Sequence, residues 1–413
     1  MLLPCSVSAE KMMSESTKRP PVKDWHSDLD HFDPDFIADP YPIYEELRGG
    51  CPVAHSDRYG GMTWLTRAND VAAAANATDT FSSRRTVISE VPTDRHGLVL
   101  PPINIDPPHH TERRRLLLPF FTPAATADWE PTIRQICSGL LDGLDGRTEF
   151  DAASGYAQEI PGDVTARMLG VPLEDTPQFR WWLHDLLELG PNDPTLARET
   201  TTRMMDYMLG LISDRRRAGG DGDLVQYLLE QRVDGQELSD DEMARTLFLL
   251  LIAGIDTTWS ALGFCLLHLA THPEDRHRLA SDPSLLPTAV EEFLRAYSPV
   301  FIARVAEHDT DIAGCPVSAG DWTVLAFPSA NRDPELFERP DEVLIDREEN
   351  RHSAFGLGVH RCLGSNLARL EMQIAIEMWM ERFPNFELTD VTAVTYSGGH
   401  VRGPRAVPIR ILS

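Results

Sequence analysis

Apolar residues recur along most of the chain with the three-to-four-residue spacing of amphipathic helices. This pattern predicts helices over residues 41–48, 109–121, 131–144, 163–169, 178–189, 196–217, 239–272, 287–297 and 366–383. Short alternating runs predict strands over residues 53–55, 62–66, 311–312, 316–317 and 323–327. The pattern therefore indicates a mainly α fold with a minor β component.

The first 23 residues differ from the rest of the chain. They are polar, contain all three lysines and carry the pair Pro20-Pro21 near their end. We expect residues 1–23 to form a flexible leader. No long low-complexity linker and no internal repeat interrupts the remainder, which predicts a single large domain over residues 24–413.

The most hydrophobic stretch runs from Leu247 to Ala270 and is long enough to cross a bilayer. Asp256 lies in its middle, and an unpaired charge there is costly in lipid. Ser239 and Glu242 have the spacing of a capping box, in which each side chain satisfies a backbone N–H at a helix start. We therefore predict a long helix buried in protein and no membrane anchor.

Composition narrows the class of partner. The 413 residues include 64 acidic and 38 basic side chains, a formal net charge of −26. Such a surface repels phosphate, so we do not expect nucleic acid or an anionic membrane as a binding partner. The six cysteines form no Cys-x-x-Cys pair, which argues against a zinc site or a disulfide framework and fits a reducing cytoplasm.

The most specific chemical signal is the ten-residue segment 355–364, FGLGVHRCLG, directly before a helix. Gly356 and Gly358 allow a tight turn and a close approach of the backbone to something flat. Cys362 follows where N–H groups at a helix start can face its sulfur and favour the thiolate. A single thiolate flanked by phenylalanine and glycine suits an axial ligand of haem iron.

With this segment the sequence resembles the cytochrome P-450 superfamily of haem monooxygenases, in its soluble bacterial type, over roughly residues 30–410. The resemblance implies that haem lies between the long central helix and the cysteine loop. It implies haem b as the cofactor and Cys362 as the axial iron ligand. Phe355 is then expected to pack beside the sulfur with Gly356 near the porphyrin, and His360 is expected to reach a haem propionate.

A second segment, AGIDTT over residues 253–258, lies within the long apolar run. An acid and a hydroxyl at this point are costly to bury unless they are hydrogen-bonded or used chemically. Thr257 can bond back to the carbonyl four residues earlier, and Gly254 weakens the helix further, which predicts a local opening. The resemblance assigns to Asp256 and Thr257 the catalytic delivery of protons to bound dioxygen.

Two further pairs are defined by helical spacing. His110 and Arg114 are four residues apart and so share a helix face, where they suit a carboxylate. The resemblance assigns both, together with Arg304, to the haem propionates.

The other pair is Glu292 and Arg295, which are three residues apart and also share a helix face. The resemblance adds Arg347 and gives all three residues a structural role in holding the haem-binding loop. Val343 and Leu344 depart from the phenylalanine and aspartate that the family often shows here.

The resemblance implies a monooxygenase that inserts one oxygen atom from O2 into a small to medium hydrophobic organic substrate, by hydroxylation or O-dealkylation. Its electrons are expected to come from NAD(P)H indirectly, through a separate ferredoxin and ferredoxin reductase. Four arginines near the proximal segments are candidates for a basic ferredoxin-docking patch: Arg113, Arg115, Arg361 and Arg369. The expected substrate-pocket residues are Leu249, Ala253, Val300, Phe301 and Ile302.

Three alternatives stay open on the sequence. A peroxide-driven haem-thiolate oxidase would keep the cysteine but commonly replaces the acid–alcohol pair with Arg-Pro, whereas Asp256 and Thr257 are present here. A non-catalytic haem-binding or sensor protein would need Cys362 but not that pair. A helical scaffold without any cofactor would need none of them.

Overall fold

A computed structural model describes residues 20–50, 53–88, 98–191, 193–219, 222–233 and 235–412. Residues 1–19 of the expected leader lie outside these ranges. Residues 20–23 are largely exposed, and two of them hydrogen-bond to the body of the protein. The Val22 N–H donates to Asp33 Oδ2 at 3.0 Å, and the Arg58 guanidinium donates to the Pro20 carbonyl at 2.9 Å.

Helices make up most of the described chain. The longer α-helices are Tyr41–Gly49, Ala68–Asn76, His109–Leu117, Glu130–Leu144, Glu159–Leu169, Thr176–Leu183, Pro194–Ala218, Leu224–Glu230, Asp240–Thr271, Pro273–Ser281, Leu286–Ala296 and Ser365–Arg382. Short α-helices are Pro34–Ala38, Pro123–Ala127 and Phe327–Ala330, and π-helical turns span Ala153–Ala157 and His184–Leu189. Single 3-10 turns are Arg58–Gly60, Leu118–Phe120, Leu173–Asp175, Pro283–Leu285, Gly358–His360 and Val391–Ala393.

The main sheet has five strands in the order Val53–Ser56, Met62–Leu65, Trp322–Leu325, Ile302–Ala306 and Phe81–Ser82. Met62–Leu65 and Trp322–Leu325 pair in parallel, and the other neighbours are antiparallel. Smaller sheets join Phe386–Leu388, Pro408–Ile411 and Glu149–Asp151; Thr395–Tyr396 and Pro404–Ala406; Thr310–Ile312 and Cys315–Val317; and Arg232–Val233 and Gln236–Glu237. The predicted class, mainly α with a minor β component, is confirmed.

The central helix, Asp240–Thr271, contacts the helices Glu159–Leu169, Pro194–Ala218 and Ser365–Arg382. It is buried along most of its length because nearly every turn is apolar. A Cβ atom at Gly254 would lie 2.8 Å from Thr165 Oγ1, so the glycine permits close helix packing there. The helix is continuous through this point, and the predicted local opening is absent from it.

The start of the central helix corrects one sequence prediction. The Ser239 hydroxyl accepts the Glu242 N–H at 3.2 Å, as expected of a cap. The Glu242 carboxylate instead pairs with Arg113 on the helix His109–Leu117. The reciprocal half of the predicted capping box is therefore wrong, because a guanidinium from another helix binds the carboxylate.

Among the described residues, the central helix alone is long and apolar enough to span a membrane by length and composition. Of its most apolar window, 67% is buried against the rest of the protein. Burial on that scale is typical of the core helix of a globular protein.

Glu371 is a buried carboxyl group on the helix Ser365–Arg382. It is 3% exposed, and its Oε2 atom has no hydrogen-bond partner among the described residues. Burial raises the pKa of Glu371 to about 8, from the 4.5 of an ordinary glutamate. The folded protein therefore holds a proton here that the unfolded chain releases above about pH 4.5.

We predict that Glu371→Gln stabilises the protein near neutral pH. Between the unfolded and folded pKa values the folded state binds the extra proton, so wild-type stability falls as the pH rises. At about 1.4 kcal/mol per pH unit this loss amounts to roughly 4 kcal/mol at pH 7.5, and the variant, which lacks it, is more stable by up to that amount. Urea midpoints measured from pH 5 to 8 test this. Equal pH dependence of the two proteins would contradict it.

Candidate active site

The cysteine loop holds Cys362 by a backbone contact across the turn. The Cys362 N–H donates to the Phe355 carbonyl at 2.7 Å, which closes the segment between them. Gly356 and Gly358 adopt φ values of 70° and 66°. A Cβ atom at Gly358 would lie 2.5 Å from the Ala75 carbonyl oxygen, so only glycine fits there. Cys362 is solvent-accessible at the end of this loop.

The environment of the Cys362 sulfur acts on its ionisation in two directions. Although Cys362 has solvent-accessible surface, protein atoms surround its sulfur, and the loss of water around the sulfur raises the pKa of the thiol. The Gly364 N–H and the nearby arginines Arg114, Arg361 and Arg369 lower that pKa in part. A thiolate at this position is stabilised further by any cation that binds the sulfur, which is what a metal ligand requires.

Four cationic or titratable side chains gather next to this loop. Arg304 is 4% exposed and His110 is 2% exposed. The His110 and His360 rings lie 4.1 Å apart between centroids. Arg114 donates to the Arg361 carbonyl at 2.7 Å, one residue before the cysteine. The structure thus brings together the four residues expected at the haem propionates.

Burial lowers the pKa of all four groups, and neighbouring positive charges add to the shift for His110, Arg114 and His360. Burial, followed by Arg304, His110 and Arg114, lowers the pKa of His360 to about 3. Burial lowers the pKa of Arg304 to about 10, although Asp106 opposes the shift. Both ring nitrogens of His110, and Nε2 of His360, are buried without a partner among the described residues. Buried donors clustered in this way fit a ligand with two carboxylates, such as haem.

The acid and the alcohol of the central helix point to different partners. The Thr257 hydroxyl donates to the Ala253 carbonyl at 2.8 Å, which is the back-bond that the sequence suggests. Ala253 is exposed, although the turns around it are largely buried. Asp256 is 3% exposed, and its Oδ1 accepts from Arg405 Nη2 at 2.6 Å.

Burial raises the pKa of Asp256, and the Arg405 guanidinium opposes the shift. A buried carboxyl of this kind can hold a proton at a pH where an exposed aspartate is ionised.

Glu292, Arg295 and Arg347 form one buried ion network. Glu292 and Arg295 are fully buried and joined by two contacts of 2.8 Å, and Arg347 Nε lies 2.9 Å from Glu292 Oε2. The Leu344 N–H and the Asn350 amide also donate to Glu292. The network ties the helix Leu286–Ala296 to residues 338–350, despite Val343 and Leu344 where the family often shows other residues.

The expected pocket residues fall into two groups. Leu249 and Ala253 lie one helical turn apart on the face that also carries Thr257, and Val300 and Ile302 are half-buried. Phe301 is different, since its ring packs 4.8 Å from Trp64 and 4.9 Å from His400 in an aromatic core. The prediction that Phe301 lines the pocket is therefore wrong. Alternate residues of an extended chain point to opposite sides, so Phe301 points away from the side of Val300 and Ile302.

Sequence reasoning missed two groups of functional interest. Arg405 binds Asp256 from the strand Pro404–Ala406, and Asp106 lies close enough to influence both Arg304 and His110. A buried acid in the middle of a helix signals that a cation is needed, and the chain beyond Lys23 offers only arginine as a permanently charged one. Nothing in the local pattern indicates which arginine supplies it.

Comparison with known proteins gives a consistent result. The cytochrome P450 family model matches residues 183–395. Cytochrome P450 monooxygenase PikC of Streptomyces venezuelae is 34% identical, with 96% of this chain and 95% of PikC covered. Vitamin D(3) 25-hydroxylase of Pseudonocardia autotrophica is 37% identical over 84% of this chain and 87% of its own. The crystal structure of CYP109E1 from Bacillus megaterium with testosterone aligns with a TM-score of 0.85 at 31% identity, covering 92% and 99% of the two chains.

We predict that Arg304→Gln weakens retention of haem. The variant removes a buried charged donor, a contact typically worth about 1.5–3 kcal/mol, so haem should leave at least about tenfold faster. Transfer of haem to excess apomyoglobin, followed by absorbance, measures the rate. Arg410→Gln, which removes a half-exposed arginine from the strand Pro408–Ile411, is the control. Equal rates for the two variants would contradict the assignment.

Proposed function

The chain belongs to the cytochrome P450 family of monooxygenases, and on that premise we propose its reaction. It inserts one oxygen atom from O2 into a small to medium hydrophobic organic molecule, by hydroxylation or O-dealkylation. The observation that carries this proposal is the placement of His110, His360, Arg114 and Arg304 beside the accessible sulfur of Cys362. An iron porphyrin with two propionates would give a partner both to the sulfur and to these buried donors.

The haem, when bound, supplies the activation of dioxygen, and the protein supplies position and protons. Cys362 would hold the iron through its thiolate, and Arg304 with the two histidines would bind the propionates. Thr257 presents a hydroxyl that is already hydrogen-bonded within the helix. Asp256 carries the proton that Thr257 passes on, which its buried, proton-retaining environment supports.

We assign the electron supply to NAD(P)H through a separate ferredoxin and ferredoxin reductase. The basic patch proposed for ferredoxin is smaller than the sequence suggests, because Arg113 pairs with Glu242 and Arg369 pairs with Glu291. Arg115 and Arg361 remain exposed on this side. They are the residues that a small acidic electron donor would meet.

We place the enzyme in the cytoplasm, without a membrane anchor or a nucleic-acid partner.

A hydrophobic substrate is supported by the similar proteins and by the residues near the site. One relative is named for vitamin D(3), and one similar structure holds testosterone. The candidate pocket side chains of this enzyme, Leu249, Ala253, Val300 and Ile302, are all apolar. An apolar pocket with few polar groups is the usual form of such a site.

Replacing Thr257 separates the proposed monooxygenase, which needs its hydroxyl for product formation, from the sensor alternative, which does not. A compound that shifts the Soret band of the ferric protein, found by titrating a panel of hydrophobic molecules, serves as substrate. We predict that Thr257→Ala lowers the yield of product per NAD(P)H at least about tenfold, within the range contributed by a positioned proton donor. The NAD(P)H that no longer yields product should instead yield hydrogen peroxide.

Thr246→Ala is the matched control. Thr246 makes the same back-bond, to the Glu242 carbonyl at 2.9 Å, about three turns away on the same helix. If Thr257→Ala and Thr246→Ala couple equally well to product, the proton-delivery role fails and the sensor alternative gains. Product formed with peroxide but not with ferredoxin, reductase and NAD(P)H would establish the peroxide alternative.

A further inference from the structure

Arg405 connects three elements that are distant in sequence. Its Nη2 donates to Asp256 on the central helix at 2.6 Å, and its Nε donates to Glu188 at 2.7 Å. Its Nη1 donates to Ser260 Oγ at 3.1 Å, and the guanidinium lies 3.9 Å from the Trp259 ring centroid. Glu188 belongs to the π-helical segment His184–Leu189, which follows directly on the helix Thr176–Leu183. One side chain thus links the strand Pro404–Ala406, the central helix and this segment.

The charges of this network do not balance. Two carboxylates share one guanidinium, and the side chains of Arg405, Asp256 and Glu188 are only 12%, 5% and 18% exposed. Asp256 Oδ2 is buried and has no partner among the described residues. A buried net negative charge is costly, and binding one proton removes it. The free carboxyl oxygen of Asp256 is the atom available to carry that proton.

Other charged groups on the neighbouring elements are engaged elsewhere. His184 and Asp185 lie 3.8 Å apart, and Asp185 lies 3.8 Å from Arg203 on the next helix. On the helix Glu159–Leu169, Asp163 interacts with Arg167 and Arg180. Within the described part of the chain, Arg405 and Glu188 are therefore the charges that act on Asp256.

We infer that Arg405 is a positioning residue that couples the docking of the segment His184–Leu189 to the proton held on Asp256. With the segment docked, Glu188 shares the guanidinium and Asp256 retains a proton. With the segment undocked, Arg405 pairs with Asp256 alone and the proton leaves to solvent. This inference rests on the proposed function, in which Asp256 supplies protons. It makes that supply depend on the docked position of the segment His184–Leu189.

The direct test detects the proton itself. Infrared spectra of the purified holoenzyme show the C=O stretch of a neutral carboxylic acid, and the Glu371→Gln background removes the other buried neutral group that we identify. In this background we expect a neutral-acid band at pH 7 that Asp256→Asn abolishes. Glu188→Gln should abolish it as well, because one carboxylate then matches one guanidinium. A band that persists in Glu188→Gln would overturn the inference.

Glu159→Gln is the matched control. Glu159 pairs with Arg180 and so also fastens the helix Thr176–Leu183, but it does not contact the Asp256 network. It should leave the band unchanged, whereas loss of the band in this variant would mean that general loosening, rather than the shared guanidinium, controls the proton. Arg405→Lys keeps the positive charge and should retain the band.

Turnover supplies a second readout. In Glu188→Gln the upper pH limit of coupled product formation should fall by about one pH unit, since a neighbouring negative charge is removed. An unchanged pH profile would overturn the coupling. The infrared result does not require turnover, so a failed proton role for Thr257 and a failed Arg405 network are distinguishable.

Discussion

The proposed role of Cys362 requires that its sulfur be ionised and held in a fixed position. Most contacts around the cysteine loop bear on one of these two conditions. Burial alone would keep the thiol neutral. The Gly364 N–H and three arginines offset part of this cost, and the proposed iron cation on the sulfur would offset the remainder. The backbone contact from Cys362 to Phe355 and the restricted turn at Gly358 then fix where the sulfur lies.

The loop keeps this position because it is attached to a buried polar network. Glu292 accepts hydrogen bonds from Arg295, Arg347, Asn350 and the Leu344 backbone. Both oxygens of its carboxylate therefore have partners. Removing one member of a fully buried pair typically costs about 3–5 kcal/mol, because the other charge stays buried. The same elements lead directly into Ser353, whose N–H donates to Asn331 Oδ1 at 2.7 Å. Structural and catalytic parts of the protein are therefore continuous.

Local patterns allowed the sequence to predict much of this arrangement. The central helix is signalled by a long apolar run after a cap, and the cysteine segment by glycines at fixed spacing. Contacts between distant segments carry no such signal. Arg405 lies 149 residues from Asp256, and the strand Ile302–Ala306 is paired on both sides by distant residues. The prediction of Phe301 as a pocket residue is wrong for a related reason, since the face on which its ring lies depends on the register of that strand.

The central claim is that the Cys362 thiolate is the axial ligand of haem iron. The most direct measurement is the absorption spectrum of the reduced, haem-loaded protein with carbon monoxide bound. The account predicts a Soret band at about 450 nm, the signature of a thiolate ligand, and its loss in Cys362→His. A histidine-type spectrum from intact, haem-loaded wild-type protein would contradict the account.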